Sequence, residues 1–533
     1  MRLQSLTDFS GLTGLRTLTT CYPLLPLLAY LLTSTNGSLS WQTVLETSLF
    51  TGALCVLPGA LNMGRWASAL WFFVFNFFAA LVLFAVLVTG DFPNLATCMA
   101  ALKTDTTEAG QMLLATKGYA ALMLMSWLAQ LAGCISFGLK APSFSFSHSR
   151  IRFIPIGLLL LPILSGPVAL AYPTNLVSLI MQCAHYQQAS DSVIFSDNYR
   201  VWKTQPAKSA ASAELVVFVI GESSQAEYWQ LLGNSQPSTP ALVSRQAKGE
   251  LISFGRHMST VSVTRLAVPA LLSPFSEILP TAQGHRPSLV SLMRRGGYDT
   301  AWLSVQGPTP AAAEAGTTHF TGDFEVLGYS GLYDDRLVSK ASQWLAVAKA
   351  QPGFLVLHTA GSHVPYEARY PEETAYWKDH LGKTFPKSQT VGNYLNSIRY
   401  TDAMLDKLMS RLAQEARPVL LVYVADHGDS SMRGYSRDHA SVESMMHVPF
   451  ILWSNAAWQT ANPEKWAKLE QLARERVVTS HLNIVPTLTS VLGLEYAGKP
   501  HERDLLSPKF TPWTRTPAIE PKTMKQIEVA PVP

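Results

Sequence analysis

The chain has 533 residues, a formal net charge of +4, 48% hydrophobic residues and only 15% charged ones. That is too long for one simple core, and too poor in charge for a wholly water-soluble protein, which usually carries about 25%. A membrane part joined to a soluble part is therefore predicted. The small net charge, with no zinc ribbon and no dense Lys/Arg stripe, argues against nucleic acid as a partner.

Five apolar runs come first, at 17–34, 41–62, 66–88, 118–139 and 154–173. Each approaches the ~20 residues that span a bilayer. Pro23 and Pro26 interrupt the first run, which membrane helices tolerate. That run is not read as a cleaved signal, because four more spans follow it. Arg2 and Arg16, then Arg65, then Lys140, Arg150 and Arg152 fall on one side of the membrane by alternation. The loop at 35–40 is uncharged, and the loop at 89–117 carries Asp91, Asp105 and Glu108 against Lys103 and Lys117. The basic side is cytoplasmic, so everything after the fifth span lies outside. All five cysteines (Cys21, Cys55, Cys98, Cys134 and Cys183) precede residue 190. The soluble part therefore has no disulfide, thiolate metal site or cysteine nucleophile.

The predicted layout is a membrane domain at 1–175, a connector at 176–212, a catalytic α/β domain at 213–510 and a tail at 511–533. The connector ends in the small-residue linker PAKSAASA, and the Pro-, Lys- and Thr-rich tail is expected to be poorly ordered. From 213 onward short apolar strands alternate with amphipathic helices such as 392–415. The strands are read at 214–221, 300–305, 354–359, 418–425 and 449–454. This alternation predicts a mostly parallel central sheet.

Three of those strands run into residues that bind metals. The first leads into Gly221-Glu222-Ser223, the third into AGSH ending at His363, and the fourth into Asp426-His427-Gly428-Asp429. Sites in open α/β sheets form beyond the carboxyl ends of the strands, so these residues can meet in space. His439 follows twelve residues after His427. Carboxylates and imidazoles without thiols suit zinc better than manganese. Taken singly, each motif is also a helix cap, a turn or a core histidine; it is their joint occurrence at three strand ends that points to a site. Between the first two lies HMSTVSVTRLAVPALLSP, where Thr264 starts a helical pattern. A hydroxyl there sits where helix amides favour anions, as a phosphorylated nucleophile needs. It is equally where an ordinary capping threonine would sit, and Thr260 and Ser262 compete with it on propensity.

VVFVIGESSQAEYWQLLGN, VTRLAVPALLS, HTAGSHVPYEARYP and YVADHGDS together resemble the bacterial phosphoethanolamine transferases of the alkaline phosphatase/sulfatase superfamily. The resemblance implies a five-helix transmembrane domain in the inner membrane and an alkaline phosphatase/sulfatase-like periplasmic domain. It implies Glu222, Thr264, Asp426 and His427 as ligands of one zinc ion, with Thr264 also the nucleophile. It implies His363 and His439 as catalytic residues that hold a second zinc or the transferred phosphate. Thr104 and Glu108, in the TDxxEA-like loop Thr104–Ala109, are implied to bind the donor headgroup. The donor would be phosphatidylethanolamine and the acceptor a glycolipid or glycan.

Several positions depart from the lipid A-modifying members. Their cysteines near the nucleophile are Thr260 and Ala270 here, and their loop asparagine is Ala100. The segment at 306–310 reads QGPTP, without the serine and lysine of that group, and the DHG element continues as DSSMRGYSRDHA. A branch divergent from the lipid A enzymes is the expectation, with lipopolysaccharide core, lipid A and periplasmic glucan all open as acceptors. A sulfatase would need Cys or Ser where Thr264 stands. The remaining alternatives are a phosphoglycerol transferase of the same superfamily and a non-catalytic membrane-anchored envelope protein. His257, His285, His319, His380, His447 and His481 lack motif support and are read as structural.

Overall fold

The computed structural model describes residues 19–33, 41–89, 117–140, 154–155, 214–274, 288–306, 311–312, 315–320, 333–347, 352–377, 389–429, 442–519 and 526–532. The chain divides into two units, an N-terminal one that ends at His185 and a C-terminal one that runs to Pro533.

In the first unit the described helices are Leu25–Thr33, Trp41–Ala60, Arg65–Thr89 and Lys117–Lys140. Segments Arg65–Leu87 and Lys117–Ile135 are long and apolar enough to cross a membrane, while Thr19–Ala29 and Ser48–Ala60 are shorter apolar stretches. The fifth expected span, at 154–173, lies almost wholly outside the described residues. Buried side chains from the first three of these helices, among them Leu27, Phe50, Leu54, Phe75 and Val86, form one cluster. Several polar groups of these helices are paired with one another or with backbone carbonyls. Asn76 Nδ2 donates to Gln130 Oε1 (3.1 Å) and to the Thr19 carbonyl (3.0 Å), and Trp71 Nε1 donates to the Leu54 carbonyl.

The second unit is built on a seven-stranded sheet. Its strands are β1 (Leu215–Gly221), β2 (Leu251–Phe254), β4 (Asp299–Ser304), β5 (Thr317–Phe320), β6 (Gly353–His358), β7 (Val419–Ala425) and β8 (Phe450–Ser454), with β3 (His257–Met258) pairing elsewhere. The order is β2-β8-β7-β1-β6-β4-β5. Strands β7, β1, β6, β4 and β5 pair in parallel, and β8 is antiparallel to both neighbours. The sheet is thus mixed. The segment at 449–454 forms a strand as expected, but reversed in direction. Strands β2 and β5, four residues each, are too short to show a period in the sequence.

Central strand β1 is buried along its whole length, because both faces of the sheet are covered. Val216, Phe218 and Ile220 point to one core, with the helices Thr264–Leu271, Leu289–Arg295, Pro463–Arg474 and Ile484–Val491. Leu215, Val217 and Val219 point to the other, with Pro240–Ala247, Asp335–Val347 and Gln389–Leu412. The two-residue period of the strand thus distributes β1 between two helical layers. The carboxyl ends of the parallel strands lie along one edge, where Glu222, His363, Asp426 and His427 follow them.

The expectation of a poorly ordered tail after 510 is corrected. Strands β10 (Thr516–Ile519) and β11 (Gln526–Val529) pair antiparallel, with β9 (Thr479–Ser480) beside β3. Ala518 and Val529 pack on Met258 and Met446, and the Ile519 N–H donates to the Thr260 carbonyl at 2.8 Å. Polar composition hid this pairing, which is anchored by contacts from distant parts of the chain.

Candidate active site

Strand β1 ends at Gly221, where a Cβ would overlap the Tyr423 hydroxyl of the neighbouring strand. The next residue, Glu222, is 1% exposed. Ser223 follows in the left-handed conformation, φ 52°, a strained state for a non-glycine residue. Its N–H donates to Asp426 Oδ1 (3.2 Å), and its carbonyl accepts from the Tyr394 hydroxyl (2.8 Å). These bonds hold the turn that aims Glu222 across the strand ends.

Strand β7 delivers Asp426 and His427 in register beside it. Asp426 is fully buried. Its Oδ1 accepts from the His427 N–H (2.7 Å), whereas its Oδ2 has no hydrogen-bond partner. His427 Nδ1 lies 2.7 Å from the Gly428 carbonyl, which can only accept, so Nδ1 carries a proton and Nε2 faces the carboxylates. Nε2 is 3.6 Å from Glu222 Oε1 and 3.4 Å from Asp426 Oδ2.

Thr264 is the first residue of its helix, after the N-cap Val263, whose side chain makes no capping hydrogen bond. Its hydroxyl lies 3.1 Å and 3.3 Å from the two Glu222 oxygens and 3.0 Å from His427 Nε2. Of the three hydroxyls open at this segment, Thr264 is the one that reaches the cluster. Thr260 is buried with its hydroxyl unpartnered, and Ser262 is half-buried.

Glu222, Asp426 and His427 are the one group among the described residues whose ligand atoms all lie within 4.8 Å of one another. A cation suits them on two counts. A buried carboxylate oxygen left without a donor costs free energy that a metal ion would recover. The histidine also holds its Nδ1 proton on a carbonyl, which frees Nε2 as a ligand. The electrostatics agree. Burial opposes the Glu222 charge, but His427, His363 and two hydrogen-bond donors hold its carboxyl down at about 2. Burial, then the Glu222 charge, pushes Asp426 up to about 8. His427 is also raised, the two carboxylates outweighing its burial.

His363 is half-buried on the turn after β6, with Nδ1 2.7 Å from the Val364 carbonyl. Glu222 feels its charge, yet it stands outside the compact group of ligand atoms. His439, Thr104 and Glu108 lie outside the described residues. Of the histidines read as structural, His257 and His481 are fully buried and His447 nearly so.

Sequence reasoning missed several supporting residues. Asp334 caps the His363 turn by accepting the Ala360 and Gly361 N–H groups at 2.8 and 2.9 Å. Ser259 Oγ donates to the Asp426 carbonyl at 2.7 Å. Gln306 Nε2 donates to Glu222 Oε2 at 2.9 Å. Only Gln306 carried a signal, since it follows the end of β4 as Glu222 follows β1.

Comparison with known proteins places the fold. Residues 214–494 match the family model described as Sulfatase. Phosphoethanolamine transferase EptC of Escherichia coli K12 is 25% identical over 328 residues, 58% of this chain and 56% of that protein. The match thus spans little more than half the length of that relative. Among solved structures, the zinc complex of the C-terminal periplasmic domain of E. coli EptC aligns with a TM-score of 0.54 and 22% identity, over 62% of this chain and 95% of that one. The integral membrane protein lipooligosaccharide phosphoethanolamine transferase A of Neisseria meningitidis aligns with a TM-score of 0.69 and 19% identity, over 92% of this chain and 98% of that one.

Proposed function

The chain belongs to the sulfatase family, and from that premise we propose that it transfers phosphoethanolamine from phosphatidylethanolamine to an envelope glycolipid or glycan through a phospho-Thr264 intermediate. The observation that carries this reading is the Thr264 hydroxyl held within 3.3 Å of both Glu222 oxygens and 3.0 Å from His427 Nε2, beside the donorless Asp426 Oδ2. The relatives named above, both called phosphoethanolamine transferases, supply the group transferred. The same reading takes the protein as a multi-pass bacterial inner-membrane protein with residues 213–510 in the periplasm.

Glu222, Thr264, Asp426 and His427 would hold one zinc ion, the metal bound by the E. coli EptC domain. Zinc there would lower the pKa of the threonine hydroxyl and offset charge on the phosphoryl oxygens.

The residues themselves and water account for the proton transfers. Thr264 Oγ attacks phosphorus; the O–P bond forms as the P–O bond to diacylglycerol breaks. The hydroxyl proton is released to water before the attack, since His427 Nε2 and the Glu222 carboxylate are the proposed ligand groups. His363, on the turn after β6, protonates the departing diacylglycerol oxygen. In the second half an acceptor hydroxyl attacks the phosphoryl group and gives its proton to His363, and Thr264 recovers its own. His439 is assigned to hold the phosphoryl oxygens, with a second zinc between it and His363 as an added possibility of the family resemblance. Thr104 and Glu108 are assigned to the donor's ammonium end. Lipopolysaccharide core, lipid A and periplasmic glucan are the acceptor candidates.

Intact mass spectrometry after incubation with zinc and phosphatidylethanolamine tests the reading. A phosphoethanolamine adduct on the wild type, mapped to Thr264 and absent from Thr264→Ala, is expected. A phosphoglycerol adduct formed only from phosphatidylglycerol would replace the donor. No adduct from either lipid, with zinc bound, would overturn the enzymatic reading.

A further inference from the structure

The segment at 306–310 departs from the lipid A group, and the transfer chemistry above makes no use of it. We propose that Gln306 is a positioning residue for the metal site, the donor that fixes how Glu222 presents its carboxylate; this rests on the reading of Glu222, Asp426 and His427 as zinc ligands.

The geometry is specific. Gln306 Nε2 donates to Glu222 Oε2 at 2.9 Å and to the Thr359 carbonyl at 2.6 Å. Both partners are pure acceptors, so the amide cannot be flipped without setting oxygen against oxygen. Each N–H has its own acceptor, and the side chain has one orientation.

Both ends of this link are anchored. The Gln306 backbone is pinned by Ser304, whose fully buried hydroxyl accepts the Gln306 N–H (2.9 Å) and donates to its carbonyl (3.0 Å). Thr359 is fully buried and bonds the Ile220 carbonyl through both its N–H (3.1 Å) and its hydroxyl (2.9 Å). Gln306 thus ties together the ends of β4, β6 and β1, three adjacent strands, at the carboxylate.

Among the described residues Glu222 has one other side-chain donor besides the nucleophile, Ser223 to Oε1 at 2.6 Å, from the adjacent residue in the strained turn. Gln306 is the one that reaches the carboxylate from a different strand. Without it, Oε2 keeps only the Thr264 hydroxyl, and the carboxylate can rotate away from the position that faces Asp426 and His427. Partners of this kind typically control metal affinity by 10–100-fold.

The test is zinc affinity of the full-length protein by chelator competition, with thermal unfolding of the metal-free forms as a check on folding. The variants are Gln306→Met, which keeps the length and volume but has no N–H, and Gln306→Ala. The expected result is a loss of about 10-fold or more in zinc affinity for both variants, with metal-free unfolding close to that of the wild type. Gln306→Met binding zinc within about 3-fold of the wild type, with Gln306→Ala weakened, would reduce Gln306 to packing and overturn the proposal. Wild-type protein that fails to bind zinc would overturn the metal site itself, an outcome distinct from wild-type binding with unchanged variants, which sinks Gln306 alone.

Discussion

Gly361 lies against the backbone of Glu222: the Ser362 N–H donates to the Glu222 carbonyl at 2.9 Å, and a Cβ on Gly361 would come within 2.6 Å of that carbonyl oxygen and 2.8 Å of the Glu222 nitrogen. Gly361 also has φ 51°, which an L side chain adopts only with strain. Two strand ends, one carrying the candidate ligand and one carrying His363, therefore touch at a point where no side chain fits.

Gly361→Ala should consequently lose stability and metal affinity together. Left-handed strain and the clash with immovable backbone add to about 2 kcal/mol or more. Denaturant unfolding and zinc titration of the same variant check this. Unchanged values in both would mean that the two turns can separate freely.

Asp334 is 3% exposed and accepts two buried N–H groups of the same turn. Asp334→Ala leaves both without a partner, at about 1–3 kcal/mol each. Asp334→Asn keeps one acceptor oxygen and should cost roughly half as much. If His363 works in proton transfer, turnover of Asp334→Asn should fall while its zinc affinity stays near the wild type. Equal losses in both quantities would place the effect at the metal cluster instead.

In metal-free protein, pH should act through Asp426. Its folded pKa is raised to about 8 by burial and then by the Glu222 charge, so the folded state holds that proton more tightly than the unfolded chain does. The contribution is fully present below the ordinary carboxyl range and is lost as pH rises through 8. His427, also raised, has the same sign. Buried His358 and His481, depressed to about 4 and about 3, and His257 and His447, also depressed chiefly by burial, have the opposite sign, and their contribution levels off only once pH passes the ordinary histidine value. Between about pH 7 and 8 stability should therefore fall. Thermal unfolding in chelator across that window, for wild type and Asp426→Asn, checks it: the decline should be smaller in the variant. An equal decline in both would assign it to other groups.

The C-terminal hairpin should contribute to stability. Ile519 is fully buried, and its N–H meets Thr260, four residues before the candidate nucleophile. Ile519→Ala should lower stability by about 2 kcal/mol or more, the usual cost of such a core truncation. An unchanged unfolding midpoint would show that the hairpin is not anchored.

The sequence made the strands around the site legible because each is a short, fully apolar run that ends abruptly in polar residues. Glu222, Asp426 and His427 could be read from that pattern alone, and so could the helix starting at Thr264. The reversed direction of β8 could not, since a buried strand has the same apolar run whichever way it points. Nor could the tail hairpin, whose apolar residues become informative only against Met258 and Met446.

What the chain's own residues determined is therefore local: which segments are apolar, where the strands stop, and which side chains with ligand chemistry follow them. Tertiary structure alone decided which of those side chains share a point in space. It set Thr264 rather than Thr260 or Ser262 on the cluster and left His363 beside it. It brought Gln306 to the Glu222 carboxylate, and Asp334, unremarkable in sequence, to the His363 turn. The physical reason is that ligand spacing depends on sheet order and on close backbone approach. Contacts between residues far apart in the chain, such as Ser223 with Asp426 and Ser362 with Glu222, fix both, and no local pattern records them.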